Sequence, residues 1–112
     1  MFDLETDQKN KLAETFGLLS DPTRLSIVLT CMDGEVSAGK IATKLNVSPS
    51  LVSHHLRLLR SARIMRSERR GKHIFYKMTD DCVRDVLATM IKHLFAHDHF
   101  ENNTENEGET VW

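Results

Sequence analysis

The sequence predicts a mainly α-helical domain that carries a single β-hairpin. Three observations lead there. Apolar residues recur at three- and four-residue spacing through most of the chain. Serine or aspartate followed by proline restarts a helix at "SDPTRL" and "VSPSLV". Only "RIMRSERRGKHIFYKM" changes to alternating apolar residues, on both sides of a turn-forming "RRGK". With 112 residues and 40% hydrophobic content, one domain with a modest core is expected, small enough that pairing with a second copy would help it.

The first helix is expected from about Thr6 to Leu19, with Leu12, Phe16 and Leu19 on one side. The second starts at Asp21, a good N-cap ahead of Pro22, and draws its buried stripe from Leu25, Val28, Leu29 and Met32 until "DGE" ends it. Ser37 caps a third helix, "SAGKIATKL", which stops near Asn46, a residue that tolerates the left-handed conformation. Its Gly39-Lys40 pair lacks the flanking glycine and strand of a phosphate loop. The fourth helix, "SPSLVSHHLRLLRSA", takes Ser48 as cap and Pro49 as first residue and buries Val52, Leu56 and Leu59. After the hairpin, "TDDCVRDVLATMIKHLFAHDHF", Thr79 to Phe100, reads as a fifth, amphipathic helix. Residues 1–100 are thus the expected domain, and residues 101–112, "ENNTENEGETVW", an acidic disordered tail.

The formal net charge of −1 conceals an uneven distribution. Setting aside the four acids of the tail, the first 100 residues hold 15 basic against 12 acidic groups, a net of +3. Eight of those basic residues (Arg57, Arg60, Arg63, Arg66, Arg69, Arg70, Lys72 and Lys77) lie between His54 and Lys77, where Glu68 is the only acid. A charge run is often just a solvated face, but a basic patch on an otherwise neutral protein is also the footprint of a polyanion. No apolar run approaches the roughly 20 residues of a membrane span. The start, "MFDLETDQKNK", has no signal-peptide character, so a cytoplasmic protein with no membrane partner is expected. Two cysteines, Cys31 and Cys82, are too few for a disulfide framework.

Two short helices joined by a tight turn, "GKIATKLNVSPSLVSHHLRLL", have the spacing of a helix-turn-helix, and the basic hairpin directly after them fits a wing. A major groove about 12 Å wide admits one helix, whose exposed side chains reach base edges while neighbouring basic groups hold phosphates. On the fourth helix Ser50, Ser53, His54 and Arg57 point away from the apolar line, and Ser48 is counted with them although it serves in part as the cap. At the hairpin tip, Arg69, Arg70 and Lys72 could enter a minor groove or grip the backbone. His55, beside the apolar line, reads as a packed histidine. Double-stranded operator DNA is the expected partner.

"LSDPTRLSIVL", "SPSLVSHHLRLLRSARIM" and "RRGKHIFYKM" resemble the ArsR/SmtB family of winged-helix repressors, over about Leu12 to Phe100. The resemblance implies a winged helix-turn-helix, dimeric through its first and last helices, that releases operator DNA when an inducer, often a metal ion, binds. One metal site of the family uses cysteines at the start of the third helix; here Ser37 and Lys40 stand in that stretch, so that site is absent. Another lies on the last helix, and in its register this chain offers Asp80, Cys82, His93 and then Ala96, with His97 one residue on as the substitute. The resemblance also implies a coupling route from His93 to the neighbourhood of His54.

Helix geometry restricts how such ligands could act. Cys82 and His93 are eleven residues apart, about 16 Å along a helix, far beyond ligands that must lie within roughly 2.4 Å of one ion. Eleven residues are almost three whole turns, so the two share a face. Two copies packed antiparallel about a two-fold axis would bring Asp80 and Cys82 of one beside His93 and His97 of the other, giving two equivalent sites. Val83, Val86, Leu87, Met90, Ile91 and Leu94 would form the seam between them. His97 lies about 40° round from His93 and His99 about 120°, which favours His97 and leaves His99 in reserve. Thiolate, carboxylate and two imidazoles suit Zn(II), and the sulfur makes Cd(II) competitive.

Two rival readings stay open on the sequence. A thiol-redox or persulfide repressor would use Cys31 and Cys82 as a reversible pair. A small metal-dependent hydrolase would need an open coordination position and a general base in a cleft, for which the chain has no motif.

Overall fold

The computed structural model describes residues 2–104, with side chains described for residues 2–96. It contains five helices and three strands: α1 (Thr6–Leu19), α2 (Pro22–Thr30), β1 (Val36–Ser37), α3 (Ala38–Leu45), α4 (Pro49–Ser61), β2 (Met65–Arg70), β3 (His73–Met78) and α5 (Asp81–Thr104). They form two compact units, which divide between Thr79 and Asp80.

Caps set the helix starts. Before α1, the Glu5 N–H donates to Oε1 of Gln8 at 2.9 Å, one arm of a capping box. Oδ2 of Asp21 accepts the Arg24 N–H at 2.9 Å ahead of α2, and Oγ of Ser37 and of Ser48 accept the N–H groups of Lys40 and Leu51, both at 3.2 Å. Asn46 ends α3 in the left-handed region (φ 55°), and the Val47 N–H closes the turn onto the Ala42 carbonyl at 3.1 Å. The end of α4 uses the same device with a less accommodating residue. Arg63 sits at φ 63°, and the Ile64 N–H reaches back to the Leu59 carbonyl at 3.0 Å.

The sheet is antiparallel in the order β1-β3-β2. Gly71, at φ 62°, makes the tight turn between β2 and β3. β1 was not expected from the sequence. It pairs Val36 with Tyr76 and Ser37 with Phe75, and two residues are too few to show a strand period.

Ile27, Val28, Cys31, Ile41, Val52, Leu56, Leu59, Ile64 and Met65 are closed off from solvent and form the core of the first unit, where α2 packs on α3 and α4. One expectation is corrected here. The buried face of α2 is centred on Ile27, Val28 and Cys31, not on the 25-28-29-32 stripe, and Leu29 is 40% exposed. Both stripes have helical period, and packing against two helices rather than period selects between them. The apolar side of α1 is also outside the core, with Leu12 and Phe16 exposed and no α1 residue buried.

In the second unit, α5 starts at Asp81 and runs to Thr104, past the expected end at Phe100. Residues 105–112, the remainder of the expected acidic tail, lie outside the described residues. Among the described residues no helix is long and apolar enough to cross a membrane.

Candidate nucleic-acid interface and metal-ligand residues

Along α4 the buried residues Val52, His55, Leu56 and Leu59 occupy one face, and Ser50, Ser53, His54 and Arg57 are exposed on the other. The split follows from helical spacing, since each set repeats at three and four residues. Ser48 is exposed, but its Oγ is engaged by the cap and lies 3.5 Å from Oγ of Ser50. The face is thus short hydroxyls at the helix start, then an imidazole, then a guanidinium one turn later, a graded reach into a groove.

His55 is the one buried polar residue of the described chain, at 7% exposure. Its Nδ1 lies 3.3 Å from a guanidinium nitrogen of Arg24, whose Nε donates to the Leu18 carbonyl at 2.8 Å. Burial holds the imidazole pKa below its ordinary value against the pull of the Asp21 carboxylate, and the Arg24 and His54 charges push it further down. The Arg24 N–H bond to the Asp21 side chain correspondingly lowers the Asp21 pKa. The packed role expected for His55 is what the structure has; Arg24, its partner, was read only as part of a helix start.

In the hairpin, Arg69, Arg70 and Lys72 are all exposed. Arg69 donates weakly to the Gly71 carbonyl at 3.4 Å. Arg70 differs: it is paired with Glu35, lies 3.8 Å from the Glu68 carboxylate, and stacks 4.1 Å from the centre of the Phe75 ring. From local sequence alone, Glu35 has no expected part beyond helping "DGE" to end a helix.

At the start of α5, Oδ1 of Asp80 accepts the Cys82 N–H at 2.9 Å, which makes this carboxylate a helix cap. Cys82 is exposed, and the neighbouring Asp80 charge and hydrogen bond raise its thiol pKa. His93 is exposed further along α5, while the side chains of His97 and His99 lie outside the described residues. Among the described residues of this one chain, no group of three or more histidine, cysteine, aspartate or glutamate side chains could hold a metal ion. Cys31 is buried in the first unit, and burial pushes its thiol up to about 11. A thiol that is neither exposed nor ionised is a poor half of a redox pair.

A reading helix with a polar exposed face, a tight turn before it and a basic hairpin after it define a winged helix-turn-helix DNA-binding domain. Residues 21–67 match a family described as bacterial regulatory proteins of the arsR family. A transcriptional repressor SmtB homolog from Synechocystis is 34% identical over 95 residues, covering 85% of this chain and 72% of that protein. A cadmium resistance transcriptional regulatory protein CadC homolog from Staphylococcus aureus is 30% identical over 92 residues, covering 81% of this chain and 76% of that protein. Among solved structures, a homodimeric winged helix-turn-helix DNA-binding domain from Mycobacterium bovis aligns with a TM-score of 0.74 over 96% of this chain and 100% of the other; at 21% identity it speaks to fold alone. The chain belongs to the ArsR/SmtB family of DNA-binding transcriptional repressors, not to an enzyme family.

Proposed function

We propose that this protein is a cytoplasmic, homodimeric repressor that binds a palindromic operator without metal and releases it when Zn(II), or Cd(II), is bound between the last helices of two subunits. The observation that carries this reading is the placement of donors on α5. Asp80 and the exposed Cys82 are joined by a hydrogen bond at its start, and the exposed His93 lies about three turns further along, about 16 Å away. No single helix can wrap one ion with that set, and an antiparallel partner supplies the missing end. His97, one turn beyond His93, completes the donors. A sulfur, a carboxylate oxygen and two imidazole nitrogens make a shell suited to zinc or cadmium. The cadmium-resistance relative supports the same class of inducer.

The contacts to DNA are assigned to Ser48, Ser50, Ser53, His54 and Arg57 in the major groove and to Arg69 and Lys72 of the wing. α5 carries the dimer seam, with Val86, Met90, Ile91, Leu94 and Phe95 each between 41 and 56% exposed in the single chain. α1, whose Leu12 and Phe16 are exposed, is the other helix assigned to dimer contact. Metal loading must favour the weakly binding state by the factor by which DNA weakens metal binding, a coupling of about 1 to 3 kcal/mol.

The test is fluorescence anisotropy of a duplex selected by the wild-type protein from a random-sequence pool, titrated with zinc, cadmium, nickel and an oxidant in separate arms. Release by zinc or cadmium, lost in Cys82→Ser and His93→Asn, is expected. Release by oxidant alone would replace the metal reading with a thiol switch centred on Cys82. A zinc-loaded crystal with the ion held within one polypeptide would end the inter-subunit site.

A further inference from the structure

Along β2 the pleat sends neighbouring residues to opposite faces, so the two adjacent arginines of the wing do not share an environment. Arg69 stands opposite Ile74 and Arg70 opposite His73 in the β2-β3 register. The face of Arg69 leads down to the buried Met65, Tyr76 and Met78, and that of Arg70 leads over Glu68 and Phe75. Glu35 directly precedes β1, which borders β3 on the edge away from β2. The Arg70 side chain therefore starts on β2, crosses the Phe75 ring of β3 and ends in an ion pair beside β1. Glu68, 3.8 Å away, adds a second carboxylate to the same guanidinium.

We infer that Arg70 is a positioning residue that clamps the wing to the loop before β1, with Glu35 as its anchor, and that the wing's grip on phosphate belongs to Arg69 and Lys72. Two carboxylates and an aromatic face already satisfy the Arg70 charge, and a phosphate could be gripped only by giving up the Glu35 pair. The clamp spans all three strands, so it fixes the angle at which the hairpin tip leaves the sheet. This inference rests on the reading that the wing meets DNA.

The two roles for Arg70 predict opposite signs for a change at Glu35. If Arg70 were a phosphate ligand, Glu35→Gln would free it and remove a repelling charge, so affinity for the selected duplex would rise. As a clamp, Glu35→Gln lowers affinity by about three- to fivefold, the modest size expected for a partly exposed pair. Arg70→Gln lowers it by a similar factor and leaves the slope of log affinity against log salt unchanged, whereas Arg69→Gln and Lys72→Gln each reduce that slope by about 1.8, one phosphate contact from each of the two wings. The exchanged pair Glu35→Arg with Arg70→Glu recovers most of the affinity lost by either single change.

Circular dichroism melts are run on each variant to check that it folds, as these surface positions permit. Unchanged or raised affinity in Glu35→Gln, or a slope lowered by about 1.8 in Arg70→Gln, overturns the clamp. Normal affinity and slope in both Arg69→Gln and Lys72→Gln would instead remove the wing from the DNA, and the clamp's role in binding with it.

Discussion

The guanidinium of Arg24 on α2 lies 3.3 Å from Nδ1 of His55 on α4. Arginine has no acceptor, so Nδ1 receives the bond, and the buried ring is neutral with its proton on Nε2. The same guanidinium donates to the Leu18 carbonyl at the end of α1, so one side chain ties three helices at the back of the reading helix.

Arg24→Met is therefore expected to destabilise the fold by about 1 to 3 kcal/mol, because it leaves the His55 nitrogen and the Leu18 carbonyl without their donor. Urea unfolding followed by circular dichroism measures it. A change within 0.5 kcal/mol, about the scatter of surface substitutions, would show that water replaces the bond.

The depressed pKa of His55 sets a direction with pH. Between its unfolded value of about 6.5 and the lower folded value, the unfolded chain holds the extra proton, so stability is complete above about pH 6.5 and declines as pH falls through the folded value. Equilibrium unfolding between pH 7.5 and 5 should show this decline, and His55→Gln should flatten it. An equal slope in the variant would assign the effect to other groups.

On the reading face, Arg57→Gln is expected to weaken binding to the selected duplex about tenfold and Ser53→Leu to weaken it further by steric exclusion. Neither should alter thermal stability, since both positions are exposed. Anisotropy titrations paired with melts separate the two effects, and a fall in melting temperature that tracks the loss of binding would count against direct contact.

The proposed sharing of ligands between subunits can be tested by complementation. A homodimer carrying Asp80→Ala and Cys82→Ser, and one carrying His93→Asn and His97→Asn, should each bind zinc at least tenfold more weakly than wild type. After mixing and subunit exchange, the heterodimer has one intact site and should recover one ion per two chains in competition with a chromophoric chelator. No recovery would exclude an antiparallel arrangement.

Leu94→Glu on α5 places a charge on the proposed dimer seam, where Leu94 is 46% exposed in the single chain. It should raise the dimer dissociation constant at least about tenfold, as read by sedimentation equilibrium, and leave the helical circular dichroism unchanged. An unchanged association constant would move the dimer contact off this helix.

The helix starts could be read from the sequence because they are local chemistry. Asp21 with Pro22, Ser37, and Ser48 with Pro49 each satisfy backbone donors within three residues, and the structure places them as caps. The reading face of α4 was legible for a related reason, since seven residues suffice to separate its buried and exposed sides. What the chain conceals is pairing at long range. Glu35 meets Arg70 across thirty-five positions and Arg24 meets His55 across thirty-one, and neither pair leaves a period or motif behind. The choice of Ile27 over Leu29 as a core residue also depends on which neighbours α2 meets, something two equally periodic stripes cannot express.

Ser37 lies in β1 opposite Phe75, and its hydroxyl also caps α3 through Lys40. One residue thus fastens the sheet and the reading apparatus together at their root. The distance from major-groove probe to wing tip becomes a dimension built into the first unit, settled before any duplex arrives. If two copies read one duplex as proposed, an inducer would act on the attitude of one such unit towards its twin, hence on whether both fit successive grooves at once.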